Sequence, residues 1–241
     1  MRKLFFILFF VTAFMTAQSS LESDVFKTAA GDLRITFIGH ASLLFHFNGL
    51  NIYVDPDGRR FDFDRLPKAD IILVTHQHGD HFDQAAIERL RRGATQIFVS
   101  PACQPLPEAA RVLRNGDSAQ AQGMDIEAVP AYNIVHQRPG GQPFHPRGEG
   151  NGYVLTFAGL RVYVAGDTEN IPEMRGLRDI GVAFLPMNLP YTMTPEMTAQ
   201  AARVIRPRVL YPYHFSDTDT QKLVTLLKGD PAIDVRIRKL N

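Results

Sequence analysis

The chain has 241 residues, 45% of them hydrophobic and 21% charged, enough for a sizeable apolar core and contrary to a disordered chain. Its 26 basic and 25 acidic side chains nearly cancel, so charge gives no bias toward nucleic acid or membrane, and no nucleic-acid partner is expected. The single cysteine, Cys103, excludes an internal disulfide and a thiolate metal site, and in its Pro-bounded turn it reads as a buried, idle thiol.

At the N-terminus, Arg2 and Lys3 precede Leu4 to Met15, a stretch apolar apart from Thr12. The small Ala17 then leads into Gln18, Ser19 and Ser20. This is the grammar of a secretory signal peptide, and the stretch is short of the roughly 20 residues that a membrane span needs. The sequence therefore predicts a signal peptide over 1–17 and export to the periplasm or medium. No stable membrane anchor is expected after cleavage, and a single domain should occupy 18–241.

Residues 33–40 read as a strand and 41–56 as a hairpin turning at "NGL". The apolar, β-branched run 70–76 has the pattern of a strand covered on both faces. A helix is predicted over 83–92 with Gly93 as its stop, a strand over 95–100 and a short helix over 106–114. A strand over 125–131 leads into a long loop, 132–151. Two apolar runs, "GYVLTF" and "LRVYVAGD", split by Ala158 and Gly159, make a second hairpin. A short buried strand (182–186) precedes a helix over 194–206 with Thr194 as N-cap, Pro195 at its first position and Glu196 in its first turn. A strand (209–214), a helix (219–228) and a closing strand in "DVRIRKL" complete the chain. Alternating strands and helices with interspersed hairpins suit two mixed sheets packed face to face with helices outside, an α/β architecture, although other layerings satisfy the same pattern.

Chemistry concentrates in "THQHGDHFD", residues 75–83. His76, His78, Asp80 and His81 follow directly on a predicted strand end, where α/β proteins place their sites. His76 and His78, spaced i, i+2, project to one side of an extended chain, and Gly79 then allows a turn that aims Asp80 and His81 at a second point. Nitrogen and oxygen donors of this kind suit zinc, iron or manganese.

The motif H-x-H-x-D-H in this stretch resembles that of the metallo-β-lactamase fold hydrolases. "FIGHASLLFHFNGLNIYVDP" is similar to the front hairpin of a branch that includes ascorbate-6-phosphate lactonases and acyl-ethanolamine phospholipase D enzymes. "GYVLTFAGLRVYVAGDT" and "LYPYHF" resemble the later hairpin and the strand end that carries the last histidine ligand. The resemblance covers residues 33–216. It implies a four-layer αββα sandwich with a dinuclear site at one edge, holding two divalent ions, zinc in the first place and otherwise manganese or iron.

By that resemblance His76 and His78 bind the first ion, Asp80 and His81 the second, Asp167 bridges them and His214 completes the second site. Asp55 corresponds to a buried aspartate that orients ligands. Where many members carry the third histidine of the first site, this chain has Asn133. His145 and His136 both follow in the long loop, and His145 is preferred as the ligand. His40 is expected beside the metals, polarising substrate or supporting a ligand, and Asp80 is expected to steer a proton of the attacking hydroxide. His46, in mid-strand, reads as structural.

The implied chemistry is hydrolysis of an ester, lactone, amide or phosphodiester by a hydroxide shared between the ions. The aspartate at the bridging position argues against β-lactam hydrolysis, since true metallo-β-lactamases lack it there. Arg138 and Arg147 in the long loop suggest an anionic small-molecule substrate, and Tyr191 and Met193 are candidates for the pocket wall. The alternative is a non-catalytic metal-binding or interaction protein on the same fold. An iron-based oxidoreductase is disfavoured because the chain has no room for the extra flavin domain of the electron-transfer versions.

Overall fold

Two seven-stranded sheets carry most of residues 21–240, the part of the chain described by the computed structural model. The first holds β1 (Ser23–Thr28), β2 (Gly31–Gly39), β3 (Ser42–Phe47), β4 (Leu50–Val54), β5 (Ile71–Val74), β6 (Gln96–Val99) and β7 (Ala110–Val112). The second holds β8 (Ser118–Ala121), β9 (Met124–Ala131), β10 (Gly150–Phe157), β11 (Leu160–Val164), β12 (Ile180–Pro186), β13 (Val209–Tyr213) and β14 (Asp234–Val235). In each sheet the strands lie in chain order. The first four pair antiparallel and the last three add in parallel. With α1 (Gln84–Leu90), α2 (Pro195–Ile205) and α3 (Thr220–Leu227), this is the expected αββα architecture of two mixed sheets.

The strand patterns follow from what each face meets. On β5, Ile71 and Leu73 enter the core between the sheets, while Ile72 and Val74 pack with Ile87 and Leu90 of α1. A strand buried on both faces must be apolar throughout, which explains the unbroken run. Each such fully buried side chain contributes roughly 1.5–3 kcal/mol. Phe45, Phe157 and Phe184 fill the inter-sheet core, with ring centroids 5.8 Å apart for Phe45–Phe157 and 6.1 Å for Phe45–Phe184. Two-residue turns close the hairpins at Asn48–Gly49, Gln122–Gly123 and Ala158–Gly159, each with both residues at positive φ, the geometry that matches strand twist. The cap predicted for α2 is present: Thr194 Oγ1 accepts from the Met197 N–H at 3.1 Å, with Pro195 at the first helical position.

The helix predicted over 106–114 is not formed. Pro105 and Pro107 remove backbone donors, Ala109 takes φ +60°, and Ala110–Val112 pairs in parallel with Ile97–Val99 as an edge strand. Good helix formers lose here to a free sheet edge. Besides β7, two strands were not predicted: β1, and the small-residue edge strand β8, "SAQA". Of the closing run, only Asp234–Val235 pairs. The predicted signal peptide, 1–17, lies outside the described residues. No described helix is long and apolar enough to cross a membrane.

Candidate metal centre

Strand ends deliver nearly all the chemistry to one edge of the sandwich. His40 follows β2, Asp55 follows β4, and Thr75 to His81 follow β5. Asp167 follows β11, His214 follows β13, and His145 comes from the loop between β9 and β10. His40, Asp55 and His214 sit at φ +52°, +47° and +46°, left-handed positions that turn the chain sharply out of the pleat.

The side chains fall into two groups whose ligand atoms converge to within 4.8 Å of one another: His76, His78, His145 and Asp167, and His40, Asp80, His81 and His214. In the first, His78 Nδ1 lies 3.0 Å from His76 Nε2 and 3.2 Å from His145 Nε2. In the second, Asp80 Oδ2 lies 3.1 Å from His40 Nε2 and 3.5 Å from His214 Nε2. The Asp167 carboxylate stands between them. Its Oδ2 is 3.2 Å from His145 Nε2 and 3.5 Å from His214 Nε2, and its Oδ1 is 3.5 Å from His81 Nε2.

All seven expected ligands are therefore brought together, and His40 joins the second group. His136 is not at the centre: its ring lies 2.7 Å from the Glu169 carboxylate, so of the two loop histidines the fold brings in His145. His46 is exposed, beside Asn51.

Hydrogen bonds on the far side of the rings fix which nitrogen faces inward. Asp55, fully buried, accepts from the Thr75 N–H and Oγ–H, both at 2.7 Å, and from His81 Nδ1–H at 2.8 Å. With its proton given to Asp55, the Thr75 oxygen can accept from His76 Nδ1–H at 3.1 Å. Both rings then present Nε2 lone pairs to the centre, the arrangement that metal-binding histidines need.

The donor set fits divalent ions by a further observation. His81 Nε2, Asp167 Oδ1 and both ring nitrogens of His214 are buried and make no hydrogen bond among the described residues. Orphaned buried polar atoms are costly, and three of these, His81 Nε2, Asp167 Oδ1 and His214 Nε2, converge on the centre and mark a place for cations. Electrostatics agree. Burial alone would raise Asp167, but His214, His81 and His145 outweigh it and hold its carboxyl well below the usual range. Burial likewise opposes charge on Asp80, yet the His214 and His40 rings beside its carboxylate, with His81 behind them, hold it well below normal. Burial and the neighbouring imidazole of His145 pull His78 down to about 4, which leaves it a neutral donor at pH 7. For His81, burial is overcome by Asp167 and Asp55, which raise it to about 9. That is an excess of negative charge that a metal cation can satisfy in place of the proton.

A cleft of about 430 Å³ opens onto both groups. Arg60, Arg138, Phe144, Asn188 and Tyr191 line it beside the ligands. Arg138 stacks 5.1 Å from the Phe144 ring centroid and has no carboxylate within ion-pair distance among the described residues. Arg147, expected on the same rim, instead pairs with Glu173 at 2.6 Å and lies over the Tyr132 ring, outside the cleft. Tyr191 lines the wall, whereas Met193 is core. Arg60, Thr75 and Glu169 were not singled out from sequence. Thr75 and Glu169 take partners 20 and 33–36 residues away in Asp55 and the 133–136 segment, whereas Arg60 is held locally by Asp57, 3.3 Å away, in a turn that carries no motif. Cys103 is buried and its thiol is pushed up to about 11 by burial, consistent with an inert role.

Comparison with known proteins agrees with this geometry. Residues 34–214 match the family described as the beta-lactamase superfamily domain. A UPF0173 metal-dependent hydrolase of Methanopyrus kandleri is 32% identical over 206 residues, covering 76% of this chain and 84% of the relative. The crystal structure of a Parabacteroides distasonis protein, described as a candidate metal-dependent hydrolase, is 49% identical with a TM-score of 0.86, over 92% of this chain and all of that one. Igni18, a metallo hydrolase of Ignicoccus hospitalis, shares the fold at 23% identity and a TM-score of 0.69, over 87% of this chain and 96% of its own. The match over 34–214, together with the ligand groups at the strand ends, establishes that the chain belongs to the beta-lactamase superfamily.

Proposed function

We propose that the protein is a dinuclear metal-dependent hydrolase acting on an ester, lactone or phosphodiester bond of an anionic small molecule. The observation that carries this reading is the Asp167 carboxylate lying between two histidine-rich groups at the floor of an open cleft. His76, His78 and His145 would hold one ion, and Asp80, His81 and His214 the other, with Asp167 shared. Two divalent ions, zinc first among candidates, supply Lewis acidity and a water acidic enough to be nucleophilic at neutral pH.

The chain's own groups do the rest. Asp80 lines the cleft with Oδ2 facing His40 Nε2 at 3.1 Å and His214 Nε2 at 3.5 Å, while Oδ1 makes no hydrogen bond among the described residues and is free to accept one from an incoming water and steer it. His40, whose pKa burial lowers, is neutral at pH 7 and donates Nε2–H to Asp80 Oδ2, which holds that carboxylate in place. Arg138 and Arg60 favour a substrate carrying phosphate or carboxylate, and Phe144 and Tyr191, packed edge to face, offer an apolar wall. The relatives named as metal-dependent hydrolases support the reaction class. Export, as expected from residues 1–17, belongs to the same proposal and is checked by N-terminal sequencing of the mature protein.

Elemental analysis of wild type beside Asp167→Ala and His145→Ala tests the reading, followed by a panel of generic esters, lactones and phosphodiesters. Two ions per chain, reduced in both variants, with turnover that follows metal content, are expected. A wild type that takes up no metal under any loading condition refutes the hydrolase and leaves a non-catalytic protein on the same fold.

A further inference from the structure

The loop that supplies His145 is wrapped around a buried anion. Glu169, fully buried two residues after Asp167, receives five hydrogen bonds on one carboxylate. Successive backbone N–H groups of Ile134, Val135 and His136 donate at 2.8, 2.7 and 2.7 Å, the His136 ring approaches at 2.7 Å, and the Asn133 amide donates at 3.1 Å. Three consecutive amides closing on one carboxylate form an anion nest, and here the anion belongs to the chain itself.

The consequence reaches the metal centre through Asn133. Its Nδ2 faces the Glu169 carboxylate and, at 2.9 Å, the Tyr191 carbonyl. Both of these only accept, so the amide nitrogen must lie on that side, and the usual ambiguity of an asparagine flip is removed. The oxygen is thereby turned toward His145. It accepts from the His145 backbone N–H at 2.9 Å and faces His145 Nδ1 at 2.6 Å. An amide oxygen only accepts, so Nδ1 must carry a proton, and in the neutral ring Nε2 keeps its lone pair toward His78 and Asp167.

We infer that Glu169 and Asn133 are positioning residues that lock His145 in its Nδ1–H tautomer and so set the ion affinity of the first site. The inference rests on the two-ion reading of the centre. It gives a use to the asparagine that stands where a histidine ligand was expected: the ligand comes from twelve residues further on, and Asn133 orients it. It also accounts for a buried glutamate that no proposed chemical step employs.

The test reads the ring directly. In chelator-treated, 15N-labelled protein, long-range 1H–15N correlation identifies the tautomer of each histidine, and His145 is assigned by the signal lost in His145→Gln. Wild type is expected to show Nδ1–H at His145. Asn133→Ala should lose that preference and bind zinc at the first site roughly 10–100-fold more weakly in chelator competition, with second-site affinity unchanged. Glu169→Gln, which puts an amide among the backbone donors, should shift both readouts in the same direction.

An Nε2–H ring in metal-free wild type overturns the lock without reference to any variant. So does a folded Asn133→Ala that keeps wild-type tautomer and first-site affinity. If wild type binds no ion at all, the two-ion reading and the affinity half of the inference fall, while the ring spectrum still decides the lock.

Discussion

Gly166→Ala is a severe test of how the centre is held. Gly166 joins β11 to Asp167 at φ +66°, and a Cβ built there would lie 2.5 Å from the Asn151 carbonyl oxygen and 3.1 Å from Thr75 Cβ. Neither neighbour can retreat cheaply. The Asn151 N–H donates to the Thr75 carbonyl at 2.8 Å, and Thr75 is tied by two 2.7 Å bonds to Asp55.

The left-handed conformation costs an alanine about 1–2 kcal/mol. Forcing a methyl into a packed site adds about 1–3 kcal/mol. The sum, about 2–5 kcal/mol, is a large share of a typical domain's stability. At a slope of about 2 kcal/mol per molar urea, the midpoint should fall by about 1 M or more.

Gly159→Ala is the control. It too sits at positive φ, +89°, but nothing lies within 4 Å of its would-be Cβ, so only the conformational cost of about 1–2 kcal/mol applies. Urea titrations of the metal-free proteins, followed by far-UV circular dichroism, compare the two. Zinc competition then reports whether Asp167 has moved. Equal midpoints for the two variants, with unchanged zinc affinity in Gly166→Ala, would refute the claim that close backbone contact positions Asp167.

Asp55→Asn should keep the fold but turn an N–H toward His81 Nδ1, favouring the wrong tautomer. Zinc affinity at the second site should drop roughly 10–100-fold, and unchanged competition curves would count against the orienting role. Burial alone would raise Asp24, but hydrogen bonds from Tyr211, Arg238 and Arg236 outweigh it and hold its carboxyl low. Because the folded pKa lies below the ordinary 3.8, its stabilisation is complete above that value and is lost as pH falls through the folded pKa. The gap in urea midpoint between wild type and Asp24→Asn should therefore be open at pH 6 and close on acidification below pH 4. Ala158→Asn should stabilise by roughly 0.5–1 kcal/mol, since an exposed alanine at φ +46° occupies a turn position that asparagine tolerates better; an unmoved thermal midpoint would argue otherwise.

Much of this was legible in the sequence because its strongest signals are local. Four candidate ligands fall within six positions, the hairpins carry glycine at the turn, and β5 announces its two-sided burial in composition. His214 and Asp167 were readable as polar residues ending apolar strands. Other features were hidden because they depend on distance. The turn and edge strand at 106–112 have the composition of a helix apart from Pro107, and the vacant edge of β6 draws Ala110–Val112 into the sheet instead. Glu169 looks like any loop glutamate until the 133–136 backbone folds over it, and Arg60, although tied to nearby Asp57, shows its place in the cleft only once the distant strands have met. The choice between His136 and His145 turns on the same carboxylate, which holds one ring away from the centre and, through Asn133, points the other into it.

The division of strands between the sheets bears on how the molecule behaves when metal is scarce. Residues 23–112 build one sheet and provide His40, His76, His78, Asp80 and His81. Residues 118–235 build the other and provide His145, Asp167 and His214. Every strand pairs with its immediate predecessor or successor, so each half can assemble from contacts close in sequence, whereas both ligand groups exist only once the halves have met. Bound metal would then be a clasp across the seam, adding about 2.7 kcal/mol to folding when free ion stands at 100 times its dissociation constant. Under starvation that clasp opens, and the first amides to lose hydrogen-exchange protection would be those at the seam, around Thr75 and Asn151, while the two sheets behind them stay closed.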